Sequence, residues 1–303
     1  MIEKFINPFT DFGFKKLFGG EQNKDLLIDF LNQLLPEKDQ IKDLSFHQNE
    51  HYSRSAEDRQ AIFDLYCENQ DGEKFIIELQ RAKQTNFKER SLYYASFPIQ
   101  EQAKSGMDWK FDLKGVYTIG IMNFVFDEHK DKPDKLLHHV QLMELEMKEV
   151  YYDKLTFIYL EIPKFKKELH QLQTRFDKWL YLLSNLNKLT DRPVELQERV
   201  FQKFFDTAEI AKYNPQQLHE YRESLKQMRD YYNTMETAKG EAKEEGIEIG
   251  IEIGKEKGLQ EGLEKGKKEE KIQIAKSLIA LGLSVDQIIQ ATGLSAEDIE
   301  QLK

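Results

Sequence analysis

Two apolar runs joined by a polar turn constrain this chain more than any other feature. Ala61-Ile62-Phe63-Asp64-Leu65-Tyr66-Cys67 and Lys74-Phe75-Ile76-Ile77-Glu78-Leu79-Gln80 are rich in β-branched and aromatic residues, and Gln70-Asp71-Gly72 lies between them. This is the pattern of a β-hairpin. A three-residue loop with Gly72 in the left-handed conformation pairs Asn69 with Glu73 and carries the register on to Asp64 opposite Glu78. The Cβ atoms of the two acids then lie roughly 4.5 to 5.5 Å apart, a repulsive arrangement for like charges. Phe63, Leu65, Ile77 and Leu79 supply one apolar face and Ile62 and Ile76 another, so the strands are expected to be buried on both sides. Ionised carboxylates on such strands must be paired or coordinated. Gln80 shares the face of Glu78, because alternate residues of a strand point the same way.

Carboxylates together with a backbone carbonyl suit a hard, oxygen-seeking cation that keeps waters for a phosphate substrate and a nucleophile. An acid on one strand and Glu-x-Gln on the next is the arrangement used by two-carboxylate, Mg²⁺-dependent nucleases. An exposed acidic face would show the same residues, and the hairpin by itself leaves both readings open. Upstream lies Asn7-Pro8-Phe9-Thr10-Asp11-Phe12-Gly13-Phe14-Lys15-Lys16-Leu17-Phe18-Gly19. With that segment the hairpin resembles the Rpn family of recombination-promoting nucleases, also described as putative transposases, of the PD-(D/E)XK nuclease superfamily. The resemblance extends through Phe87, Arg90 and Tyr94, the strand near Gly115-Val116-Tyr117, and the tail.

That resemblance implies an α/β, restriction-endonuclease-like core (αβββαβ, a mixed sheet flanked by helices) and metal-dependent cleavage of DNA linked to recombination or mobile elements. It implies that Asp64, Glu78 and the carbonyl of Leu79 hold Mg²⁺, or Mn²⁺ in its place, with Asp11 as a third acid. Asp11 also reads as a helix cap. Gln80 stands where the superfamily usually has Lys; an amide can orient water or a phosphate oxygen but adds no charge. A nearby cation is therefore expected to assist, with Lys83 the nearest and Lys88 and Arg90 as alternatives. The same departure supports a second reading, a catalytically weak or inactive nuclease-fold protein that binds DNA or assembles.

The single Cys67, inside a predicted strand, cannot form an internal disulfide and points to a reducing cytoplasm. No signal pattern or long apolar run is evident, so no membrane span is expected. The net charge of -10 argues against a basic DNA coat, but not against one local basic surface.

In order, residues 1–165 are expected to form the nuclease core. Phe14, Leu17 and Phe18 recur at helical spacing, and a second helix over about Asn23 to Leu35 ends at Pro36. Strands are expected at Ile41 to His51, Gly115 to Phe126, Val140 to Val150 and Leu155 to Ile162, with a helix from Phe87 to about Lys104. Glu57, Asp58 and Arg59 open the first hairpin strand; Asp58 is on the order of 20 Å from Asp64 at strand rise, too far to share an ion. His138 and His139, adjacent on a strand, face opposite ways and are not expected to bind one metal together. Residues 166–237 read as a helical extension with Trp179, Leu180, Leu183 and Leu186 in one stripe and Phe201, Phe204 and Phe205 in another. In 238–271, Gly246, Gly250, Gly254, Gly258, Gly262 and Gly266 recur every fourth residue, a slowly winding stripe that lets a second helix approach closely and predicts a homo-oligomer. Residues 272–303 resemble a helix-turn-helix unit. Its last helix carries Glu297, Asp298 and Glu300, which favours a protein-interaction cap over a reader of bases.

Overall fold

Turn chemistry and apolar spacing account for most of the elements in a computed structural model, which describes residues 3–47, 50–51, 61–83, 86–103 and 112–302. The expected opening at Glu57-Asp58-Arg59 and the helix end near Lys104 lie outside these residues. Thr10 caps helix α1 (Asp11–Phe18): its hydroxyl accepts the Gly13 N–H at 2.9 Å. The cap is thus Thr10, and Asp11 opens the first turn instead. Helix α2 (Lys24–Leu31) buries Leu26, Leu27, Phe30 and Leu31. Strands β1 (Leu44–Phe46), β2 (Glu50–His51), β3 (Ala61–Ile62), β4 (Leu65–Asn69) and β5 (Lys74–Gln80) precede helix α3 (Phe87–Glu101). Strands β6 (Val116–Met122), β7 (Leu137–Glu144) and β8 (Glu149–Glu161) follow, then helices α4 (Arg175–Asn185), α5 (Arg199–Ala208), α6 (Pro215–Ala280), α7 (Val285–Thr292) and α8 (Ala296–Glu300).

Six strands form a mixed sheet in the order β1-β4-β5-β6-β8-β7, with β5, β6 and β8 parallel. The hairpin closes as its residues predict. Gly72 has φ +80°, the Asn69 N–H donates to the Glu73 carbonyl at 3.0 Å, and the ladder runs from Glu68 opposite Lys74 to Leu65 opposite Ile77. Its first arm is not one strand, however. The chain bends at Phe63-Asp64, and β3 pairs with β2 in a separate two-stranded ribbon. The bend breaks the strand's alternation, so Phe63 packs with Tyr66 and Ile76 rather than with Leu65 and Ile77, and Ile62 is 54% exposed. The strand expected over Val140 to Val150 likewise divides into β7 and β8 at a turn in which Lys148 takes φ 57°.

Each face of the sheet is covered. Leu65, Cys67, Ile77, Leu79, Ile119, Ile121, Ile158 and Leu160 meet α1, α2, α4 and α5 through Phe14, Phe18, Phe30, Trp179 and Phe204. On the other face α3 lays Phe87 and Ala95 over Val116, Met122, Phe157 and Tyr159. Gly120 permits that close approach: a Cβ there would lie 2.9 Å from Phe87 Cζ and 3.2 Å from Tyr159 Cδ1. Gly120→Ala is therefore expected to destabilise the protein by about 1–3 kcal/mol through overpacking. Denaturant unfolding reads this directly, and an unchanged midpoint would contradict the packing described.

Residues 1–228 form one compact unit and 229–303 a second. The first includes the start of α6, where the Tyr221 hydroxyl accepts the Asn7 N–H at 2.9 Å and Leu225 joins the core. In the second, α6 continues through the glycine repeat as helix, then packs Ala275 with Ile288, Leu294 and Ile299. Ser284 and Gln287 form a capping box for α7, Gly293 ends it at φ 67°, and Ser295 caps α8. Among the described residues, no helix is long and apolar enough to cross a membrane.

Candidate active site

The acid pair forms where β4 has not yet begun and β5 is nearly finished, at one end of the hairpin. Continuing the ladder past Leu65 and Ile77 sets Asp64 beside Glu78. The Asp64 N–H donates to Glu78 Oε1 at 3.3 Å, and Asp64 Oδ2 accepts the Leu79 N–H at 2.6 Å. In an antiparallel pair, a residue's N–H and carbonyl leave the strand on the same side. The Leu79 carbonyl therefore points toward Asp64, where no β4 ladder competes for it. Glu78 and Gln80 are buried, and Gln80 Nε2 donates to Glu78 Oε2 at 3.2 Å.

Burial, and next the charge of Asp64, push the Glu78 carboxyl up to about 8. Burial also raises Asp64; the Leu79 N–H opposes this, the charge of Asp11 adds to it, and Lys15 and Arg81 pull it down. Arg90 places one guanidinium nitrogen 3.2 Å from Glu78 Oε2, and its Cζ lies over the rings of Phe87 and Tyr94, 5.6 and 5.4 Å from their centroids. Arg90, Lys15 and Arg81 thus leave both carboxylates held toward their neutral forms. A divalent cation bound by oxygen donors would reverse that preference. The donor set of Asp64, Glu78 and the Leu79 carbonyl fits such an ion.

The other expected site residues divide. Asp11 bonds Lys15 at 2.9 Å, and both act electrostatically on Asp64, which puts the first turn of α1 beside the acids. Lys83 turns elsewhere and pairs with Asp127, and Lys88 pairs with Glu128. Among the described residues, the cation that contacts Glu78 is Arg90. A second constellation was not foreseen from sequence: His129, His138 and Glu161 converge on the same face of the sheet. His139 turns away to the Leu34 carbonyl, as adjacent strand residues must.

A buried and a partly buried carboxylate side by side at one end of a mixed sheet, on an αβββαβ core with helices on both faces, are the arrangement of the PD-(D/E)XK class of nuclease folds. Residues 8–238 match the family described as PD-(D/E)XK nuclease family transposase, and the chain belongs to that family. Residues 268–303 match the C-terminal HTH domain of the Rpn/YhgA-like nuclease family. No curated protein and no solved structure matches the chain.

Proposed function

We propose that the protein is a metal-dependent DNA endonuclease that hydrolyses phosphodiester bonds and serves recombination or mobile-element processes. The observation that carries this reading is the acid pair: buried Glu78 and partly buried Asp64 lie side by side, and each accepts a backbone N–H. Asp64, Glu78 and Leu79 would hold Mg²⁺, with Mn²⁺ as a substitute and Asp11 in support. The ion would supply activation of water and stabilisation of charge on the leaving oxygen.

The chain's own groups do the positioning. Gln80 and Arg90 fix Glu78 Oε2, and the Leu79 N–H fixes Asp64. Arg90 supplies the positive charge that Gln80 lacks, aimed at a site where charge grows on a phosphate. Lys15 and Arg81, close enough to act on Asp64, offer contacts to the DNA backbone. We assign residues 1–165 as the nuclease core, 166–237 as its helical extension, 238–271 as the arm and 272–303 as the cap. The arm's glycines and exposed Ile247 and Ile251 suit self-association through a second copy of the helix. The acidic α8 suits a protein partner more than bases.

Incubation of the full-length protein with plasmid DNA and Mg²⁺ tests the reading. Cleavage should require the metal and vanish in folded Asp64→Ala and Glu78→Ala variants, and Arg90→Met should slow it on the order of 10²-fold. Tight, metal-independent DNA binding with no nicked product would favour the second reading, a nuclease fold retained for binding or assembly. Two contacts support that alternative: the Gln80 amide already donates to Glu78, and Lys83 to Asp127.

A further inference from the structure

Glu161 ends β8, and its side chain is fully buried. Across β5, β6 and β8 it is in register with Met122 and Gln80, so it lies on the face covered by α3, two strand spacings or roughly 10 Å from Gln80. His138 stands opposite Tyr159 on β7 and so shares this face. His129 arrives from a 3-10 turn, Asp127–His129. His129 Nδ1 lies 3.2 Å from Glu161 Oε1, and His138 Nε2 lies 3.1 Å from Oε2. The two rings stack with centroids 4.0 Å apart and planes within 10°, and the three donor atoms all lie within 4.8 Å of one another.

We propose that His129, His138 and Glu161 bind one transition-metal ion of the Zn²⁺ class, at a site distinct from the acid pair. The donor chemistry separates the two sites. Two imidazole nitrogens and one carboxylate suit Zn²⁺ and its neighbours, whereas oxygen-only donors suit Mg²⁺. The carboxylate is also held as a metal ligand needs to be. Lys164 Nζ donates to Oε2 at 2.6 Å and the Phe126 N–H to Oε1 at 2.8 Å. A carboxylate has about four acceptor positions, so these two donors leave the two that now receive the imidazoles. The ion takes the place of those two N–H···O bonds, and each ring carries its proton on the nitrogen that faces away. Lys164 and Phe126 then orient the ligand from behind.

Such an ion would pin the turn to β7 and β8. The same turn carries Asp127 and Glu128, which grip Lys83 after β5 and Lys88 on α3. Metal at His129 therefore stiffens the connection that follows the catalytic strand.

The experiment uses full-length protein, stripped with a chelator and titrated with Co²⁺ and then Zn²⁺ in excess Mg²⁺. Co²⁺ should give visible d–d absorption at about one equivalent per chain, Zn²⁺ should displace it, and Zn²⁺ should raise the melting temperature. His138→Gln and His129→Ala should each weaken binding by more than about tenfold. Asp64→Asn combined with Glu78→Gln should leave binding unchanged, so this test is independent of nuclease activity. The proposal is overturned if the wild type gives no Co²⁺ absorption, if binding survives the His129 change, or if it disappears with the acid pair. Should His138→Gln fail to fold, His129, whose ring is partly exposed, decides the matter.

Discussion

Glu78→Gln is expected to reduce Mg²⁺-dependent cleavage of plasmid DNA by more than about a hundredfold while the protein stays folded. Loss of groups that merely orient a metal ligand costs about 10–100-fold, and Glu78 is assigned as a ligand itself. The amide keeps the shape of the carboxylate, and its oxygen can still accept the Asp64 N–H that Glu78 Oε1 accepts. It removes the charge that holds Arg90 and that would hold the ion. Single-turnover cleavage over a range of Mg²⁺ concentrations gives the answer. A variant that cuts at the wild-type rate would remove Glu78 from the chemistry.

The same substitution is expected to act in the opposite direction on stability. In metal-free protein Glu78 is pushed up to about 8, first by burial and then by Asp64, against about 4.3 in an unfolded chain. Between those values the folded state holds a proton that the unfolded state has released. Stability from this group is therefore complete below about pH 4 and declines as pH rises toward 8, by at most about 1.4 kcal/mol per unit. Asp64, raised mainly by burial, acts in the same sense. Urea midpoints measured with a chelator should fall from pH 5 to pH 8 in the wild type, and Glu78→Gln should flatten that decline. Mg²⁺ should restore the wild type at pH 8. A wild-type profile that is level across this range would mean that the carboxylates are better solvated than their burial implies.

The hairpin register was legible because everything that sets it is local: a glycine that can take positive φ, two runs of strand-forming residues and three loop positions between them. The bend at Phe63-Asp64 was not. No proline or glycine marks it, and it arises where the chain ends its pairing with β2 and joins the main sheet as β4, a choice made by distant pairing. The identity of the cation beside Glu78 was half legible. Lys83, just beyond β5, was the expected cation, but its partner Asp127 follows β6 and could not be foreseen. Arg90 reaches Glu78 because Phe87, Arg90 and Tyr94 share one side of α3, a spacing visible in the sequence but silent about which side meets the sheet. His129, His138 and Glu161 come from a turn, an edge strand and the end of an inner strand, and no sequence interval joins them. The family, by contrast, rested on signals spread along the chain, and the match over residues 8–238 agrees with it.

The middle of α6 has a thermal consequence. A methyl group added at any of its six repeated glycines, Gly246 to Gly266, would meet nothing within 4 Å. Each glycine nonetheless forgoes roughly 1 kcal/mol of helix stability relative to alanine. Six of them amount to about 6 kcal/mol, comparable to the whole folding free energy of a modest domain. On warming, this stretch is therefore expected to act as a fuse, its turns uncoiling before the β-sheet melts.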